Sequence, residues 1–328
     1  MNSGKGKFLA KYKTFLLSTG SLSLDCLLNG GLATNTITLL EEDKLNIHCS
    51  LLCQHFIAHG LSNNQDTALV IDEISPEEFI QNLPKLNPDN SLVPRIENDM
   101  SQLNIAWRYR DLAPVKDDFA MSNNGSSKVD LTKFSSYSFH NINLSDNLNE
   151  TLTFCKKFIK EKGSFRKQLK LVISSLGSPL WGICENEEKF LNLISRFLFC
   201  LKAIVSESTI SVIVTINPDL LESNVIEIVR SMCNYVLKFE AFDDPKAVAD
   251  QLHNDVSGQI RPIKIASVNS IEPIFRPNTS IWSYHIHRRK MLFKEFCLPP
   301  CLSDNTSRSN QNEPSRSINL KSGCGVDF

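Results

Sequence analysis

Apolar positions along the chain follow two periods, and their alternation predicts the fold. SLSLDCLL (21–28) has leucines at helical spacing and runs into Asn29-Gly30-Gly31, where glycine permits the left-handed backbone that closes a helix. TITLL (36–40) is a short buried strand, residues 47–59 return to a helical pattern, and ALVID (68–72) is the next strand. SPEE then marks a helix start, with Ser75 as N-cap, Pro76 at the first helical position and Glu78 placed for a capping box. LKLVISSLG (169–177) and TISVIVTI (209–216) are continuous apolar runs of the kind covered on both faces, and 187–205 between them carries a helix-length pattern. Strand, helix, strand, helix at this spacing predicts a parallel sheet joined by right-handed crossovers. YVLKFEAF, RPIKIASV and SIWSYHIHRRKMLFKEF, with a Pro/Asn turn at 276–278, predict an antiparallel extension at the sheet edge.

Composition sharpens this picture in three places. A chain of 328 residues with 41% hydrophobic content can bury a large core. We expect one α/β domain over 15–302, preceded by a flexible arm at 1–14 and followed by a disordered tail at 303–328. The Ser-, Asn- and Asp-rich stretch 111–150 is expected as a polar surface insertion. Ten cysteines without a repeating spacing, most in apolar runs, predict reduced, buried thiols in a protein of the cell interior; we expect it in the cytoplasm and also in the nucleus. No apolar run approaches the roughly 20 residues that a membrane helix needs. The formal charge is −1, but residues 261–321 hold ten Lys/Arg against four Asp/Glu, a net of +6. That is either a solvated basic rim or a surface that attracts a polyanion.

The turn after the first central strand is where a nucleotide-binding α/β protein places its phosphate loop. Here it reads EEDKLNIH. Laying GxxxxGK[ST] over it puts Glu41 and Asn46 at the two glycines, Ile47 at the lysine and His48 at the Ser/Thr, so none of the four matches. Glu41, Glu42 and Asp43 would face a triphosphate with like charge, about 1 kcal/mol or more for each close pair, which Lys44 alone cannot offset. A Walker-B strand ends in an Asp that helps hold magnesium, whereas LKLVISSLG ends in Ser174-Ser175. No intact Walker motif is present, and no cofactor is expected. Asp72 and Glu73, at the carboxyl end of a strand, could serve as a general base or be the acidic lead-in to the helix capped by Ser75.

STGSLSLDCLLNGGLATNTITLL, with Thr19-Gly20, Leu24-Asp25 and Gly30-Gly31-Leu32 ahead of the strand, resembles the entry to a RecA/KaiC-type ATPase domain. The continuation LLEEDKLNIHCSLL resembles one branch, the fourth-subunit family of the Elongator complex, which has this acidic loop in place of the P-loop. IAWRY (105–109), LGSPLW (176–181), the strand leading to LPP (298–300) and the ending Gly325 to Phe328 are similar too. The resemblance implies a RecA-like three-layer fold. It also implies a heterohexameric ring with the fifth and sixth Elongator subunits, two copies of each. Such a ring binds tRNA and docks onto a catalytic subcomplex that modifies the wobble uridine, with ATP hydrolysis attributed to the assembled ring. On that reading the chain is not itself an enzyme; the alternative is an ATPase whose site a neighbouring subunit completes.

Other constellations are less telling. On a helix, Cys49 and Cys53 share one face and His55 and His59 an opposed one, so with His48 they form no tetrahedral metal site; Cys53 is expected in the core and His55 at the surface. Cys297 and Cys301 lie close in sequence, but a reducing compartment argues against a bridge. IAWRYR sets Trp107 and Tyr109 on one strand face and Arg108 and Arg110 on the other, able to grip a phosphate backbone or to pair with acids. YHIHRRK, read as one continuous strand, places His285, His287 and Arg289 on one side. Trp282, Tyr284, Ile286, Arg288 and Lys290 then fall on the other, and Arg288, Arg289 and Lys290 are candidates for tRNA phosphates. The same charges suit an edge strand guarded against aggregation.

Overall fold

The computed structural model describes residues 7–9, 14–71, 76–84, 131–139, 141–163, 167–184, 186–242, 256–266, 277 and 279–296. In chain order these form β1 (Lys7–Leu9), β2 (Thr14–Leu17), α1 (Leu22–Leu27), β3 (Leu32–Ala33), β4 (Thr36–Glu41), α2 (Ile47–Ser62), β5 (Asp66–Val70) and α3 (Pro76–Gln81). Then come β6 (Phe134–Tyr137), α4 (Leu144–Lys162), β7 (Leu169–Ile173), α5 (Glu187–Ser206), β8 (Ile210–Ile216), α6 (Ser223–Met232), β9 (Tyr235–Ala241), β10 (Gly258–Lys264), β11 (Trp282–His287) and β12 (Lys290–Glu295). All belong to one compact unit, Met1–Phe296.

Nine strands make one sheet in the order β12-β11-β10-β9-β4-β8-β7-β5-β6. The six from β9 to β6 run parallel, and β10, β11 and β12 add antiparallel at one edge. β4, β5, β7 and β8 are wholly buried, which is why they read as unbroken apolar runs. One face carries Leu40, Leu69, Val172, Ile213 and Leu237 under α2. The other carries Leu39, Val70, Leu171, Ile173, Val212 and Val214 under α4, α5 and α6. Helices on both faces of a mostly parallel sheet are the α/β architecture that the period pattern predicts.

The sequence reading departs from the structure at several points. Part of the expected flexible arm is β1, paired antiparallel with β2. The described part of the expected insertion at 111–150 holds the edge strand β6 and the start of α4; FSSY is half-exposed and serine-rich, so it carries no clean alternation. YHIHRRK is not one strand: β11 ends at His287, β12 begins at Lys290, and Arg288 and Arg289 make the two-residue turn with φ of +47° and +65°. Positive φ at both central positions suits the twist of a hairpin but favours Asn and Gly, so an Arg-Arg pair gives no turn signal.

The motif Thr19-Gly20…Leu24-Asp25 has a structural role. The buried Asp25 carboxylate accepts from Ser18 Oγ, from Thr19 N at 2.8 Å and from Thr19 Oγ1 at 2.7 Å, closing the turn into α1. Gly20 has φ +93°, and a Cβ there would run into the His55 carbonyl. α1 in turn covers the outer edge of β12, with Ser21 Oγ donating to Met291 O at 3.2 Å and Ser23 Oγ accepting from Phe293 N at 3.0 Å. Capped in this way, β12 does not offer those groups to another sheet.

Candidate functional site: a phosphate loop holding its own carboxylates

The loop between β4 and α2 sits at the carboxyl ends of β4, β8 and β9, on the edge where open α/β sheets place ligands. It borders a cleft of about 1350 Å³, also lined by Arg230, Lys238, Glu240 and Arg289. All three loop acids are buried. Each is committed to a partner inside the protein.

Asp43 Oδ1 accepts from the backbone N–H groups of His48 and Cys49, both at 3.2 Å. Those N–H groups open α2 and carry its positive dipole end, the place where a phosphate binds in a nucleotide enzyme. Asn46, just before the helix, is left-handed with φ +50°, taking the conformation that a glycine would otherwise supply. It donates from Nδ2 to Ser175 Oγ at 3.0 Å.

Glu42 Oε1 accepts from Thr215 Oγ1 at 2.5 Å and from Ser175 Oγ at 2.8 Å. Thr215 stands near the end of β8, and Ser175 just past β7 has φ +45° and donates its N–H to Thr215 Oγ1 at 2.7 Å. Ser175, at the end of the strand where a magnesium-binding Asp would stand, thus joins Thr215 of the neighbouring strand in a hydroxyl clamp on a carboxylate. Glu41 has no solvent exposure and forms a two-pronged ion pair with Arg230 of α6, Nε to Oε1 at 2.5 Å and NH2 to Oε2 at 2.8 Å.

His48 Nδ1 lies 2.7 Å from the Tyr284 hydroxyl of β11, and burial holds its imidazole below the ordinary range. Burial likewise pushes the Cys49 and Cys53 thiols well up. His55, expected at the surface, is instead buried, with Nε2 2.7 Å from the Arg289 carbonyl oxygen; it supports the strained hairpin turn from below. His59 is buried too, and among the described residues no group of three or more His, Cys, Asp or Glu converges on a metal position. The top of the loop is apolar, with Leu45 76% and Ile47 58% exposed. Lys44 is exposed beside them.

At the hairpin tip His287, Arg288 and Arg289 are exposed and Lys290 half-buried, so the three basic candidates do cluster. Arg289 also donates to Asn82 O at 3.2 Å. Arg108, Arg110, Trp107, Tyr109, Asp72, Glu73, Cys297 and Cys301 lie outside the described residues.

Spacing could not find Arg230, because it lies 189 residues from Glu41. Thr215 and Ser175 left a faint signal as polar residues closing apolar strands. Lys170 left none: it stands mid-strand in β7 with no solvent exposure, donating from Nζ to Ser18 O at 2.8 Å and to Phe56 O at 3.0 Å, with His59 Nδ1 at 3.3 Å. Burial pushes its ammonium down to about 7, partly offset by the Asp25 charge.

Taken together, these features define a class: an α/β protein built on a parallel sheet, whose loop at the phosphate position is occupied by its own carboxylates. Within that class the chain belongs to the PAXNEB protein family, whose model matches residues 11–326. Among curated relatives it is 26% identical over 354 residues to Elongator complex protein 4 of Homo sapiens, covering 95% of this chain and 83% of that protein. It is 28% identical over 355 residues to Elongator complex protein 4 of Xenopus laevis, covering 94% and 86%. To the protein of the same name from Dictyostelium discoideum it is 22% identical over 378 residues, covering 98% and 85%.

Proposed function

We propose that this chain is a non-catalytic, RecA-like subunit of an Elongator complex, with no intact Walker motif and no cofactor of its own. It assembles with the fifth and sixth subunits into a heterohexameric ring that binds tRNA and supports modification of the wobble uridine. Family membership and the relatives' shared name support the Elongator assignment. The observation that carries the non-catalytic reading is the Asp43 carboxylate on the α2 N–H groups. A buried anion already holds the donors that a β-phosphate needs, and Glu42 holds the nearby hydroxyls. The exposed Arg288 and Arg289 tip supports the tRNA assignment.

Calorimetry of the isolated chain with ATP and magnesium should give no heat of binding; micromolar binding would sink the non-catalytic reading. The cleft of about 1350 Å³ beside the loop favours one second reading, an ATPase site completed by a neighbouring subunit. In that case nucleotide would bind the ring but not the lone chain. Replacing Arg288, Arg289 and Lys290 with Ala should weaken tRNA binding by the reconstituted ring and flatten its salt dependence by up to about three charges. An unchanged affinity would remove these residues from the tRNA path.

A further inference from the structure

A second surface stands at the carboxyl edge of the sheet, beyond β7. Ile142, Leu180 and Ile183 are 76%, 51% and 71% exposed. They are not scattered single residues. Residues 142 and 183 are joined by a hydrogen bond from Ile183 N to Ile142 O at 2.9 Å, beside the parallel bridge between Asn143 and Ile183, so their backbones run side by side. Leu180 belongs to the same short turn, next to Trp181.

The backbone that presents them is rigid. Trp181 is buried, its ring 4.1 Å from that of Phe139, and its Nε1 donates to Ser174 O at 3.1 Å. Asn147, wholly buried in α4, donates from Nδ2 to Trp181 O at 2.8 Å. Gly182 has φ +116°, and a Cβ there would come within 2.6 Å of Ile142 O and Leu144 N. One side chain of the LGSPLW turn is thus driven into the core while its neighbours are held outward, at little further ordering cost on binding.

Charge around the patch is mostly acidic. Among the described residues of 141–150 and 178–189, Asp146, Glu150, Glu187 and Glu188 stand against one cation, Lys189. Glu222, the N-cap of α6, hydrogen-bonds Glu187, and that bond holds its carboxyl above the ordinary range, as expected where acids crowd. Clustered aliphatic side chains inside a carboxylate rim match a partner with aliphatic or aromatic anchors set between Lys and Arg.

We infer that Ile142, Leu180 and Ile183, with the acidic rim of Asp146, Glu187 and Glu188, form a protein-docking surface for a basic amphipathic segment of another subunit. The surface goes beyond the ring reading, which names partners but no face. The test co-expresses the full chain with the fifth and sixth Elongator subunits and compares two variants, Ile142→Ser/Leu180→Ser/Ile183→Ser and Asp146→Lys/Glu187→Lys/Glu188→Lys. Partner affinity should fall about 30-fold or more in the first, with an unchanged thermal midpoint, and about tenfold at low salt in the second. Parental affinity in both would overturn the proposal. Should the first variant lose thermal stability, Ile183→Ser alone takes its place. If the parent forms no complex with those subunits, the ring reading fails by itself, and a synthetic amphipathic Leu/Lys peptide becomes the probe. Its binding to the parent and not to the apolar variant upholds the surface; no binding to the parent overturns it. A concentration-dependent homodimer abolished by the apolar variant would make the occupant a second copy, and that too overturns the basic partner.

Discussion

Two loops leave the same edge of the same sheet and use their side chains in opposite directions. The loop after β4 turns three carboxylates inward, onto a helix end, two hydroxyls and an arginine. The loop after β7 turns one tryptophan inward and holds its aliphatic neighbours out to solvent. An edge position on an α/β sheet is therefore only an opportunity. Whether it becomes a ligand site, an internal brace or a contact surface depends on which groups the rest of the chain already claims there.

The comparison breaks most sharply at Arg230. Arg230→Ala leaves Glu41 buried without its counter-charge, and we expect about 3 kcal/mol lost in denaturant titration. Glu41→Gln placed beside it should recover part of that loss, since a neutral amide needs no guanidinium; equal loss in the double variant would show that the arginine acts through packing alone. Asp43→Ala removes an N-terminal brace of α2, with an expected loss of about 1 to 2 kcal/mol. If the same variant gains nucleotide affinity, the carboxylate is a plug; if it does not, the remaining acids suffice to exclude phosphate.

Acid should loosen the α2 side further. Burial holds His48, His55 and His59 below their ordinary value, so the unfolded chain takes up protons first as pH falls through about 6.5. The stability that these imidazoles contribute is fully present above that point and declines toward pH 5, which thermal scans at fixed ionic strength would register. A flat midpoint between pH 7 and 5 would mean that those imidazoles accept protons without cost. Smallest of all should be Ile183→Ser, within about 0.5 kcal/mol of the parent because that side chain is 71% exposed. A large loss there would erase the contrast between the two loops.

Much of this was legible in the sequence. The buried parallel strands announced themselves as apolar runs, and EEDKLNIH announced a loop that departs from the phosphate-binding motif at all four of its fixed positions. What spacing could not give was direction. The three acids read as groups facing a ligand, whereas two face Thr215 and Arg230, brought in by crossovers from far along the chain, and the third folds onto the α2 N–H groups just ahead of it. His55 read as a surface residue because its partner, the Arg289 carbonyl, exists only once the hairpin folds over α2. The hairpin itself was hidden because two arginines occupy the positions where asparagine and glycine would have marked a turn.

The serine contacts between α1 and β12 also set a schedule for biosynthesis. Ser21 and Met291 are 270 residues apart, a stretch that takes a ribosome about 15 to 50 s to make at ordinary elongation rates. Throughout that interval the first helix has no edge to close upon. A nascent chain stalled before codon 291 would hold its leading segment unlatched, open to protease and chaperone alike, however complete its central strands had become.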